Sequence, residues 1–112
     1  MGIREEIAGK ILSAKVKEFD DLVFEKNSIY IKENASTPVK VGYETTLDCF
    51  VISDTRENTL NLIKRLENEI GTRGLFGEFY IQLMKYSYES PLLNLDKLWS
   101  AKMTIKIIWE AA

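Results

Sequence analysis

The stretch from Ala101 to Trp109 restricts the fold of this chain more than any other. Ala101, Met103, Ile105, Ile107 and Trp109 point one way, and Lys102, Thr104, Lys106 and Glu110 the other, with Ile108 the exception. Alternation with period two, carried by β-branched and aromatic residues, is what a half-buried strand requires. Its hydrophobicity predicts a place inside a sheet, and Trp99 and Trp109 are expected to anchor the fold. Two other tracts alternate in the same way. Val39–Ile52 puts Val39, Val41, Tyr43, Thr45, Leu47, Cys49 and Val51 on one face. It is longer than the usual strand of about 5–6 residues. It is therefore either bent near Gly42 or overhangs the domain at Val39, offering a free edge to a neighbour. Glu78–Tyr88 is apolar on both faces, and its tyrosines suit either core packing or an interface.

Helical spacing appears twice. Residues 2–20 carry Ile3, Ile7, Ile11 and Ala14 on one face, with Glu6 and Lys10 as a favourable pair four residues apart. Residues 54–70 carry Thr59, Leu62, Ile63, Leu66 and Ile70, with Asp54 expected as N-cap, Glu57 completing a capping box and Gly71 as the stop. Leu22–Glu25 and Ser28–Glu33 read as short extended pieces around a Lys26-Asn27 turn, and Asp20-Asp21 as part of a turn. Asn34–Pro38 reads as a loop. The glycine-rich run Gly71–Gly77 follows a helix and opens a strand, the reverse of a phosphate cradle, so it reads as a connector. Glu89–Leu98 is a linker loaded with Leu92, Leu93, Leu95 and Leu98; it is either a short helix folded onto the core or a binding element. Helix, short strands, long strand, helix and two strands predict one domain over residues 1–112. The expected fold is an α+β two-layer sandwich: a mainly antiparallel sheet of about four strands with two helices packed on it.

Composition narrows the chemistry. The chain has 112 residues, 46% hydrophobic, enough for one core. A net charge of −2, with basic residues scattered, gives no electrostatic case for nucleic acid. No apolar run approaches the roughly 20 residues of a membrane helix, and the charged start is unlike a signal peptide, which leads to an expectation of cytoplasmic synthesis. There is no histidine, which removes histidine-dependent triads and metal sites, and the single cysteine, Cys49, reads as a small buried hydrophobe. The carboxylates read as a solvated face. No catalytic residue, metal ligand or cofactor site is expected.

The run Leu98-Trp99-Ser100-Ala101, continuing through Met103-Thr104-Ile105 to Ile108-Trp109-Glu110, resembles the C-terminal strand of bacteriophage tail terminator proteins of the lambdoid minor tail protein U type, a head–tail completion family. The wider order resembles theirs too: an opening amphipathic helix, then a long strand feeding an acid-capped helix. This chain differs from them in a shorter segment at Glu33–Pro38. The resemblance implies a structural protein that assembles with itself into a ring, commonly a hexamer. Such a ring caps the tail tube protein, ends its polymerisation and offers a docking surface to the head–tail connector protein, with no organic cofactor, membrane or nucleic-acid contact. It would be found in the host cytoplasm during assembly and in the virion tail afterwards. Another virion or contractile-tail component, or a small ligand-binding or regulatory domain unrelated to phages, remains an alternative. Val39, Val41, Tyr86, Tyr88, Leu92, Leu93, Leu95 and Trp99 are the residues expected to meet partners.

Overall fold

The computed structural model describes residues 2–17 and 25–112. Among them, two helices and seven strands follow in the order α1 (Ile3–Ala8), β1 (Lys15–Lys17), β2 (Ser28–Pro38), β3 (Tyr43–Ser53), α2 (Arg56–Ile70), β4 (Gly74–Phe76), β5 (Phe79–Tyr88), β6 (Leu92–Leu93) and β7 (Trp99–Ala111). The strands form one sheet in the order β1-β2-β3-β7-β5-β4, with β6 beside β7. All pairings are antiparallel except β1 with β2.

This corrects the expected two-layer sandwich of about four strands. The described residues are 51% strand, and their seven strands make a curled half-barrel sheet with two short helices. The alternating segment Ala101–Trp109 does lie inside: β7 pairs with β3 along one side and with β5 and β6 along the other. Two irregularities help bend the sheet, one at Asn34 between Glu33 and Ala35, the other at Gln82 between Ile81 and Leu83. Bulges of this kind increase the local twist of a strand. The second also resolves why Glu78–Tyr88 looks apolar on both faces. Ile81 faces inward opposite Trp109, and after the bulge Met84 and Tyr86 face inward opposite Ile107 and Ile105. One strand thus shows the core two different phases of its sequence.

The core fills the concave side. Ile29, Leu47, Val51, Met103, Ile105 and Ile107 meet Leu62, Ile63, Leu66 and Ile70 of α2 and Ile3 and Ile7 of α1. All five residues expected to form the apolar stripe of α2 are buried. The N-cap of α2 is Thr55, one residue later than expected; its hydroxyl accepts from the Asn58 amide at 3.0 Å. Asp54 instead accepts from the Asn58 side chain at 2.7 Å.

The first helix is much shorter than the expected 2–20. It ends at Gly9, where the last turns tighten through Lys10 N–H to Ile7 C=O and Ile11 N–H to Ala8 C=O. Glycine there costs about 1 kcal/mol of helix propensity relative to alanine. The next amides are satisfied elsewhere: Leu12 and Ser13 donate to the Glu69 carboxylate of α2 at 2.9 and 3.3 Å. The chain then enters β1. The rest of the expected helix, Asp20-Asp21 and most of Leu22–Glu25 lie outside the described residues.

Helix α1 spans the open mouth of the curl. It packs against β2 and β4, near opposite ends of the sheet order. The Arg4 Nε donates to the Ile31 carbonyl at 2.8 Å, the Lys10 ammonium lies 5.0 Å from the centre of the Phe76 ring, and Glu6 rests against Gly77. The predicted Glu6–Lys10 pair thus gives way to contacts with β4 and its turn.

Candidate assembly surface

Two segments that composition marks as loops are ordered as strand. Asn34–Pro38 continues β2, and Gly74–Phe76 forms β4. Val39–Gly42 becomes the hairpin turn between β2 and β3, closed by Val39 N–H to Gly42 C=O at 3.1 Å. Of the two alternatives for the long tract, a bend near Gly42 or an overhang at Val39, the overhang is absent: the chain turns at Gly42, and β3 begins at Tyr43 and is paired on both sides, with Pro38 and Trp109 opposite Tyr43. Gly42 makes the turn feasible. Its φ is +87°, and a Cβ there would come within 2.1 Å of the Trp109 carbonyl oxygen. Trp109 anchors this end: its ring stacks on Tyr43 at 4.9 Å, meets Phe79 edge-on at 4.9 Å, and donates to the Thr45 hydroxyl at 2.8 Å.

The leucine-rich linker is neither a helix nor part of the core. After β5 the ladder continues through Glu89 N–H to Lys102 C=O, passes the buried Pro91, and resumes as β6. Leu92 faces Ser100 and Leu93 faces Trp99. The tip is fixed by Asn94, whose side-chain oxygen accepts from the Asp96 and Leu98 backbone amides at 2.9 and 3.0 Å while its backbone N–H donates to the Leu98 carbonyl at 2.8 Å. An asparagine side chain satisfying amides further along is the usual local device for a tight turn. Lys97 takes a left-handed conformation at φ 61°. The base is held to α2, where the Thr59 hydroxyl lies 3.4 Å from the Trp99 carbonyl. This ordered hairpin presents Leu92, Leu93 and Leu95 to solvent at 70, 57 and 103% exposure.

The eight residues expected to meet partners therefore divide. Leu92, Leu93, Leu95 and the half-buried Trp99 gather on this hairpin, and exposed Tyr88 precedes it on β5. Val39 and Val41 are exposed in the turn at the opposite end of the sheet. Tyr86 is turned inward and belongs to the fold: its hydroxyl donates to the Gly71 carbonyl behind α2 and lies 3.1 Å from the Met84 sulfur. Burial, with Glu67 and Cys49 nearby, pushes its phenol above the ordinary tyrosine range.

Two features were not foreseen from sequence. The outer edge of β5 beyond Ile81 and that of β2 beyond Tyr30 have no strand beside them among the described residues. On the outer face, Glu44, Leu83, Lys85, Lys106 and Ile108 line a recess of about 210 Å³. Its signal in the sequence is Ile108, the one apolar residue on the polar side of the closing strand.

Among the described residues no three carboxylate or thiol groups gather as a metal site. The Cys49 thiol is buried, and desolvation, reinforced by Asp48 and opposed by Arg4, pushes it up to about 12. No described helix is long and apolar enough to cross a membrane. No protein-family model and no curated protein sequence matches the chain.

Proposed function

We propose that this chain is a structural tail-completion protein that works by assembling with itself into a ring, capping a tail tube and offering the head connector a docking surface. The observation that carries the assembly half of this reading is the Leu92–Leu98 hairpin. Exposing three leucines on a tip that its own hydrogen bonds hold rigid does nothing for an isolated monomer. A tip already fixed in shape loses little conformational freedom when a partner covers it. The outer edge of β5 beyond Ile81, which has no strand beside it among the described residues, adds backbone donors and acceptors at one side of the sheet. The tail-specific half rests on the resemblance of Leu98–Glu110 to tail terminators. The role needs no catalysis and no cofactor.

Light scattering after size exclusion, at increasing protein concentration, should give a closed oligomer of fixed mass. Tail tube protein polymerised with and without the chain should yield shorter tubes of narrower length distribution in its presence. A strict monomer that leaves tube length unchanged refutes the proposal.

A further inference from the structure

We propose that the hairpin tip of one copy seats in the Leu83–Ile108 recess of the next, an inference that rests on the assembly reading above. The recess exists because of the β5 bulge. Past Gln82 the strand changes phase, so Leu83 turns outward opposite Ile108, and the two meet beside Glu44 of β3. The same register sets Lys85 directly opposite Lys106. Like charges facing each other across a strand pair repel. Both lysines line the recess with the apolar pair, and neither is ion-paired with a carboxylate among the described residues. The site therefore offers an apolar seat, two adjacent cations and one carboxylate.

The tip carries the complement in three consecutive residues, Leu95, Asp96 and Lys97, all exposed. Leu95 has the size to occupy a recess of about 210 Å³. Asp96 can then lie between Lys85 and Lys106 and relieve their repulsion, and Lys97 can reach Glu44. A second copy is thus the occupant that the charges favour.

Tip and recess sit at opposite ends of one strand. Trp99 opens β7 and Ile108 lies near its close. At about 3.3 Å per residue that separation is roughly 30 Å. A copy cannot fill its own recess, and the surfaces joined are different patches. Contacts of this kind run head to tail, and they close into a ring when the rotation per subunit divides a full turn.

Size exclusion with light scattering, on Leu95→Asp and Leu83→Asp, tests this. Each variant is expected to be monomeric at concentrations where the wild type is oligomeric, with unchanged circular dichroism, and to need at least tenfold more protein to assemble. An equimolar mixture should give dimers and nothing larger, since only the tip of Leu83→Asp and the recess of Leu95→Asp remain intact. Asp96→Lys should also weaken assembly, and the double change Lys85→Glu and Lys106→Glu in the same chain should restore it. These charge exchanges decide the matter if Leu83→Asp fails to fold. Wild-type oligomers from both aspartate variants, or loss with Leu95→Asp alone, would overturn the docking and leave the ring reading standing. A wild type that stays monomeric overturns the docking, and the assembly reading falls with it if tube length is also unaffected.

Discussion

Two glycines with nearly the same backbone angle allow steric crowding to be separated from conformational strain. Gly42 has φ +87° and Gly71 φ +89°. A methyl group at Gly71 would find nothing within 4 Å, whereas at Gly42 it would lie 2.1 Å from the Trp109 carbonyl oxygen and 3.0 Å from its carbon. Gly71→Ala therefore carries only the cost of an alanine in a glycine conformation, about 1–3 kcal/mol. Gly42→Ala likewise places an alanine at positive φ and must also move the turn by about 1 Å, because real Cβ contacts essentially never fall under 3.0 Å. That movement loosens the Val39–Gly42 turn bond and the stack of Tyr43 on Trp109. Each is worth about 1 kcal/mol. Gly42→Ala should thus be about 2 kcal/mol less stable than Gly71→Ala, a difference of roughly 10 °C in melting temperature for a domain of this size. Thermal unfolding followed by circular dichroism measures it. Equal losses in the two variants would show that the approach of Gly42 to Trp109 does not matter to the fold.

Two further outcomes concern titration. The Ser13 hydroxyl, with the Leu12 and Ser13 amides and Arg65 behind it, holds the Glu69 carboxyl below the usual glutamate range. A depressed folded value means the contribution is present above the unfolded pKa, near 4.5, and is lost as pH falls through the folded one. Glu69→Gln should therefore melt lower than wild type at pH 7, and the gap should narrow steadily as pH falls below the ordinary glutamate value near 4.5. A gap that does not narrow in acid would place the effect elsewhere. For Cys49, a thiol pushed up to about 12 and buried on β3 should stay unmodified by a thiol reagent at pH 8 and react once denaturant unfolds the chain; fast labelling of the native protein would contradict its position.

Much of the interior was legible because periodicity is a local property. The odd positions of Ala101–Ile107 are buried, as the alternation predicts, and the α2 stripe holds at every position. What failed was decided by hydrogen bonds and register, which periodicity does not record. The first helix stops early because Glu69, more than fifty residues on, takes the amides of Leu12 and Ser13. Asn34–Ser36 has loop composition, yet Thr45 and Thr46 of β3 hold it as strand. The bulge at Gln82 reverses the facing of β5 with no glycine to announce it. It made Tyr86 look like a surface residue and concealed Leu83. The exposed hairpin was half legible: its leucines stand out, but only the Asn94 hydrogen bonds show that they sit on a rigid tip.

The central pairing of β3 with β7 also sets an order of events during synthesis. Residues 43–53 must wait for residues 99–111, roughly 60 positions later. At about 5–20 residues per second the interval is roughly 3–12 s. The β2–β3 hairpin has local contacts and can form at once. Until β7 arrives, however, Leu47, Cys49 and Val51 have an open edge beside them. The strand that finally shields the core is among the last parts of this segment to leave the ribosome. A nascent chain stalled before Trp99 would expose a hydrophobic hairpin with half its ladder unmade, the form in which chaperones should capture it.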